Sequence, residues 1–334
     1  MRITRETLLK IARDTAAQRV HTSRRIICIY LTGSLLTEEP LLGGTTDIDL
    51  ICVHDSEPLV RREIVHLVDE VHLDIGHYSQ NDFNQPRQFR QDPWRGPFIT
   101  NHPLLLHDSA HWFDFTQATI TSQFNYPENT LARARVLADA ARQAWMQLRL
   151  VQSGTTPVEI WAYLKAIEDA GNAFASLTGL PLAERRFWLG LVDRATELNR
   201  PELASGLLDL LFPEPVDLAT WQTWQAPWQS ALTTAAENAA CPPRLHPARR
   251  AYYERAAAVL YEIQPAPAAW LALRTWTQAA ALLPENAPAF IAWQAAIQTI
   301  GLADSGFSTR LDAFDAYLDH LEEVLDEWGK ANGI

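Results

Sequence analysis

Asp47 and Asp49 stand two positions apart in Asp47-Ile48-Asp49-Leu50-Ile51-Cys52-Val53, a run that begins in alternation and ends apolar. Side chains two apart on an extended chain leave the same face, so both carboxylates project together. Paired oxygen donors suit a hard divalent cation, and two such charges repel each other without one. Upstream, Gly33-Ser34 closes the run Arg25-Ile26-Ile27-Cys28-Ile29-Tyr30-Leu31-Thr32. Glycine lets a backbone approach a phosphate, and serine offers an N–H and a hydroxyl to it. Asp74 falls on the polar positions of Val71-His72-Leu73-Asp74-Ile75-Gly76-His77-Tyr78 and can bring a third carboxylate from a neighbouring strand. Three acids and one anion-cradling turn imply metal and phosphoryl chemistry. The same residues also fit an ordinary strand-ending turn beside solvated acids. A metal set of His72, Asp74 and His77 is disfavoured, because position 77 falls on the opposite strand face.

Several elements must position these residues. Leu8, Leu9, Ile11, Ala12, Ala16 and Val20 recur at three- and four-residue spacings, which predicts an amphipathic helix over 5–20. The β-branched run 25–31 predicts a strand buried on both faces. Runs 47–53 and 71–78 alternate as two further strands, and 61–70 reads as helix. Helix, strand, strand, helix, strand describes a small α/β sheet with helices packed on it. From about Glu128 onward Ala, Leu and Trp recur at helical spacing with Pro or Gly at the boundaries, so residues 126–334 are expected to be all-α, after a first domain over 1–125. The fold class is therefore α+β, a small mixed sheet followed by a helical bundle. Most of the 12 tryptophans fall in the helical part, where they read as packing residues.

The chain has 334 residues, 47% hydrophobic and 20% charged, enough for two cores. Its formal charge of −12 disfavours long nucleic acid as a partner, although a local basic patch can still hold a triphosphate. Three scattered cysteines, Cys28, Cys52 and Cys241, build neither a disulfide framework nor a paired metal motif and fit a reducing cytoplasm. The opening Met1-Arg2-Ile3-Thr4-Arg5-Glu6 has no apolar run, and no membrane anchor is expected.

The Gly-Ser turn, twelve intervening residues and then Asp-Ile-Asp-Leu resemble the signature of the DNA polymerase β-type nucleotidyltransferase superfamily. The resemblance covers residues 20–80, and a catalytic domain placed before a helical one is similar to aminoglycoside nucleotidyltransferases. It implies that Gly33 and Ser34 hold a triphosphate, that Asp47 and Asp49 bind magnesium, and that Asp74 is the third carboxylate, ligating metal or accepting the acceptor's proton. Two Mg2+ ions and ATP, or another nucleoside triphosphate, are the implied cofactor and donor. The implied reaction moves AMP in line to a hydroxyl of a small molecule, an aminoglycoside-like antibiotic being one candidate, and expels pyrophosphate. A protein acceptor, or a non-catalytic nucleotide-binding scaffold, are the alternatives. Transfer to RNA ends is disfavoured by the charge balance.

In the helical part, Lys165, Glu168 and Asn172 share a face by three- and four-residue spacing. Lys165 could steady nucleotide phosphates, and Glu168 or Asp169 could position or deprotonate an acceptor. The plainer reading is a solvated face with an ion pair. Arg185 and Arg186, after Pro181, could reach an anion. Arg87, Arg90 and Arg95, with Trp94, read as surface and packing residues near a substrate loop.

Overall fold

Thr4 accepts a hydrogen bond from the Thr7 backbone N–H and starts helix α1 (Arg5–Thr22), which carries Glu6 in its first turn and Arg19 and His21 in its last. Acid at the start and base at the end complement the helix dipole. The computed structural model describes residues 3–109, 111–150 and 156–334, so Met1 and Arg2 of the opening stretch lie outside the described residues. The chain divides into two compact units, residues 1–129 and 130–334, and its class is α+β.

In the first unit α1 is followed by β1 (Ile26–Thr32), β2 (Thr46–His54), β3 (Arg62–Val68) and β4 (Val71–Ser79). Two short helices, α2 (Pro86–Gln91) and α3 (Arg95–Thr100), lead to β5 (Leu104–Asp108) and α4 (Trp112–Thr121). The strands form one mixed sheet in the order β3-β4-β2-β1-β5. Only β2 and β4 pair in parallel; the other neighbours are antiparallel.

Residues 61–70, expected as helix, form β3 instead. The stretch Ile64-Val65-His66-Leu67-Val68 mixes spacings that suit both periods, and its β-branched content favours a strand once β4 offers an antiparallel edge. Strand β5 was not anticipated either. It is five residues long, follows Pro103 and edges the sheet on β1, so it carries almost no periodic signal of its own.

The two sheet faces differ. Ile48, Leu50, Cys52, Leu73 and Ile75 pack with Leu8, Ala12 and Ala16 of α1 in one core cluster. On the other side an aromatic group closes the core: Tyr30 meets Phe113 with ring centroids 5.2 Å apart, and Phe83 contacts Tyr78, Phe89 and Trp112. Arg90, from the segment read as surface and packing, donates to the Thr119 and Ile120 carbonyls and so ties α2 to α4.

The second unit is helical: α5 (Pro127–Leu150), α6 (Pro157–Ala175), α7 (Phe187–Glu197), α8 (Pro201–Leu211), α9 (Leu218–Ala236), α10 (Arg250–Ile263), α11 (Pro265–Ala280), α12 (Pro288–Thr299) and α13 (Asp304–Ala331). Thr156 and Glu159 form a capping box that starts α6, with Pro157 at its first turn. Trp228, Trp270, Trp276 and Trp293 are fully buried. Trp228 donates to Thr275 Oγ1 at 2.8 Å and Trp293 to Thr277 Oγ1 at 3.0 Å, so these indoles pin α9 and α12 to α11. Among the described residues no helix is long and apolar enough to cross a membrane, and the three cysteines are free thiols.

At the C-terminal ends of β2 and β4, on the α1 face, His54 Nε2 lies 3.0 Å from His77 Nδ1. His77 Nε2 lies 3.5 Å from Glu63, which also accepts from Arg19 at 2.6 Å. Burial lowers both imidazoles below the ordinary value; each is held there against an acid, Asp55 for His54 and Glu63 for His77. Unfolding restores the ordinary value, so below about pH 6.5 the unfolded chain takes up protons that the folded chain refuses. The stability these neutral imidazoles permit is thus complete above that pH and declines as pH falls. The urea midpoint should drop between about pH 7 and about pH 5.5, and His77→Gln should shrink that drop. An identical drop in the variant would remove the pair as its source.

Candidate functional site

Strand pairing brings the predicted acids together. The parallel register of β2 and β4 sets Asp47 beside His72 and Asp49 beside Asp74. The antiparallel register of β1 and β2 sets Thr32 opposite Asp49, so the chain leaves β1 at Gly33 beside that carboxylate. Asp47, Asp49 and Asp74 each offer an oxygen within 4.8 Å of the others. Asp47 and Asp49 are half-buried, whereas Asp74 is 7% exposed.

Gly33 occupies φ 81° and ψ −161°, a region that strains any side chain. A Cβ built there would fall inside the van der Waals envelope of the Asp49 carboxylate. Both the dihedral and the close approach therefore require glycine. Immediately after it, Ser34–Leu36 forms a 3₁₀ turn, in which the Leu36 N–H donates to Gly33 O at 3.2 Å and the Thr37 N–H to Ser34 O at 3.0 Å. The Ser34 hydroxyl lies 3.3 Å from Thr46 Oγ1, which places it at the entrance of β2.

A residue that the sequence did not single out completes the arrangement. Arg62 on β3 stands opposite Gly76, diagonal to Asp74 on the same face of the ladder. Its Nε donates to Asp74 Oδ1 at 2.8 Å, and a second nitrogen of the fork donates to Oδ2. The guanidinium thus spans both oxygens of the deepest acid and supplies part of the positive charge the cluster needs. Reading 61–70 as a strand would have revealed it, since a hairpin between 62 and 76 puts position 62 next to 74.

The donor set could hold a hard divalent cation: three carboxylates from two adjacent strands, one of them seated against Gly33. His77 does not share this face. It lies with His54 and Glu63, as its strand position requires.

The remaining candidates belong to the second unit. Glu168 on α6 is buried, with Oε1 2.7 Å from Arg274 Nη1 on α11. Lys165 pairs with Asp169 and lies 3.7 Å from Glu168. Asn172 spends its amide on the backbone of Leu182, accepting from the N–H at 2.6 Å and donating to the carbonyl at 3.2 Å. Arg185 is buried with its guanidinium 3.6 Å from the Tyr252 ring centroid, while Arg186, its neighbour in the same 3₁₀ turn, is half-buried. The face of α6 expected to be solvated is therefore an interior charged face at Glu168 and Asp169. Packing of α11 against α6, which spacing within one helix cannot reveal, is the reason.

Neither comparison with models of protein families nor comparison with curated proteins returns a match.

The Gly33 geometry is testable against an internal control. Gly33→Ala should lower the unfolding free energy by roughly 2 kcal/mol or more, combining backbone strain with displacement of Asp49. Gly44→Ala has a comparable φ of 70° but open space around its Cβ position, and should cost only about 1 kcal/mol. Equal costs in urea unfolding would show that the Asp49 contact is unimportant.

Proposed function

We propose that the first unit is a metal-dependent nucleotidyltransferase that moves a nucleoside monophosphate, AMP from ATP in the closest resemblance, to a hydroxyl of a small molecule. One observation carries the reading: the carboxylates of Asp47, Asp49 and Asp74 converge at the strand end where the Gly33-Ser34 turn lies against Asp49. Clustered like charges cost stability, and a bound cation would offset that cost.

In this reading Asp47, Asp49 and Asp74 hold the divalent cation, magnesium being the one that suits carboxylates and a polyphosphate together. When bound, it would neutralise charge on the phosphoryl group under attack. The resemblance gives Gly33 and Ser34 the phosphates, and the Ser34 hydroxyl lies at the mouth of β2. The new bond joins the acceptor oxygen to the α-phosphorus. The bond to the bridging oxygen breaks, pyrophosphate carries away that electron pair, and the hydroxyl proton passes to a nearby carboxylate or water. The resemblance gives that duty, or metal ligation, to Asp74, both of whose oxygens Arg62 holds here. For Asp74 to take part in ligation or proton transfer, the Arg62 fork must loosen its grip.

Isothermal titration of a non-hydrolysable ATP analogue with magnesium tests the assignment. A magnesium-dependent component of the binding should appear and should disappear in Asp47→Asn/Asp49→Asn. Absence of any magnesium-dependent component, or its persistence in the double variant, would refute the assignment. Arg62→Gln gives a second check, because removing the internal cation leaves the acids in greater need of an external one. That variant should bind Mn2+ several-fold more tightly while unfolding at lower urea, since the buried Asp74 carboxylate loses the guanidinium that pairs with it. Weaker Mn2+ binding in the variant would argue that Arg62 supports the ion rather than competing with it.

A further inference from the structure

The helical unit holds a second concentration of charge that the proposed reaction leaves unused. Glu168 on α6, Glu184 on the 3₁₀ turn Glu184–Arg186 and Arg274 on α11 form its interior. Arg244, on the 3₁₀ turn Pro243–Leu245, has Nε 3.3 Å from Glu184. Trp161 stands one helical turn before Lys165, and its ring lies 5.0 Å from the Arg274 guanidinium and 5.6 Å from that of Arg244. Burial raises the Glu184 carboxyl, but Arg244, Arg249, Arg274 and Arg185 outweigh it and hold the acid at about 2. Glu184 therefore stays ionised with cations gathered round it.

Two features distinguish this cluster from a closed salt-bridge network. One is the gathering of cations round its acids: Lys165, Arg185, Arg244, Arg249 and Arg274 act on Glu168, Asp169 or Glu184, in a chain whose formal charge is −12. The second feature is unused donor capacity. Arg274 is 1% exposed, yet its Nε has no hydrogen-bond acceptor, and neither does Arg244 Nη1. A buried charged donor without an acceptor is costly, and the cost is removed when an anion supplies one. Around this interior, Arg244, Lys165 and Trp161 are part-exposed.

We propose that this cluster is an anion site of the helical unit, built to take a phosphoryl group, with Arg274 as its floor and Arg244 and Lys165 as its rim. The several acceptor oxygens of a phosphoryl group match guanidinium forks better than a single halide does. The Trp161 ring lies within cation–π distance of both guanidiniums and helps hold them together. The site is assembled wholly from residues of the second unit and stands whether or not the three aspartates act as proposed.

Isothermal titration of the full chain without divalent metal, using inorganic phosphate, pyrophosphate and ATP in turn at matched ionic strength, tests this. At least one should bind saturably at one site, and Arg244→Gln, a rim substitution, should weaken that binding roughly ten-fold or more. Lys165→Gln should weaken it in the same direction, and Asp47→Asn/Asp49→Asn should leave it unchanged, which separates this site from the acidic one. Tight binding of phosphate or pyrophosphate identifies the free ion as the ligand. Binding of ATP alone, still lost in Arg244→Gln, identifies a phosphorylated organic molecule. Absence of saturable binding by all three, or binding indifferent to both rim variants, overturns the proposal.

Discussion

The parallel pairing of β2 with β4 is the constraint on which the first unit depends. It sets Asp49 directly beside Asp74, with Asp47 two residues along on the same face. Neighbouring strands lie about 5 Å apart, so these charges repel strongly wherever water is partly excluded. A sheet that adopts this register must supply positive charge at the same place. β3 does so by pairing antiparallel with the outer side of β4, which delivers Arg62 to the deepest carboxylate. On the inner side, β1 ends in a glycine because the Asp49 carboxylate fills the space a side chain would occupy. Strand order thus ranks the chemistry across the sheet: cation, acids, then bare backbone.

The rest of the unit keeps that ranking in place. α1 seals one face with Leu8, Ala12 and Ala16 against the alternate residues of β2 and β4, and the aromatic group of Tyr30, Phe83, Phe89 and Phe113 closes the other face. A one-residue slip of β2 would exchange its apolar and acidic sets, driving carboxylates into the α1 core. The hydrophobic cores therefore specify the position of the acids, and the acids contribute specificity rather than stability.

The helical unit solves an opposite problem. It buries arginines, Arg133, Arg185, Arg249 and Arg274, together with the acids Glu159, Glu168 and Asp169. Arginine permits this because its guanidinium is weakly hydrated and stacks on aromatic rings. Arg185 on Tyr252 and Arg274 between Trp161 and Trp270 exploit that property. The tryptophan-rich composition is thus partly the lining of buried charge, in addition to the helix-to-helix indole bonds of Trp228 and Trp293.

Local pattern alone determined a good deal: the α+β class, the opening helix, the three strands β1, β2 and β4, and the shared face of Asp47 and Asp49. These follow from periods of two and 3.6, which depend only on neighbours along the chain. Tertiary structure decided the remainder. Ile64 to Val68 became a strand because β4 offered an edge, against a spacing that also suits a helix. β5 was too short and too uniform to announce itself, and exists because β1 had an open side. Arg62 reaches Asp74, Arg274 reaches Glu168 and Arg244 reaches Glu184 across different elements. Sequence specifies which charges exist, but a charge acquires its partner only when separate elements pack, since electrostatic contact is a matter of distance in space rather than along the chain.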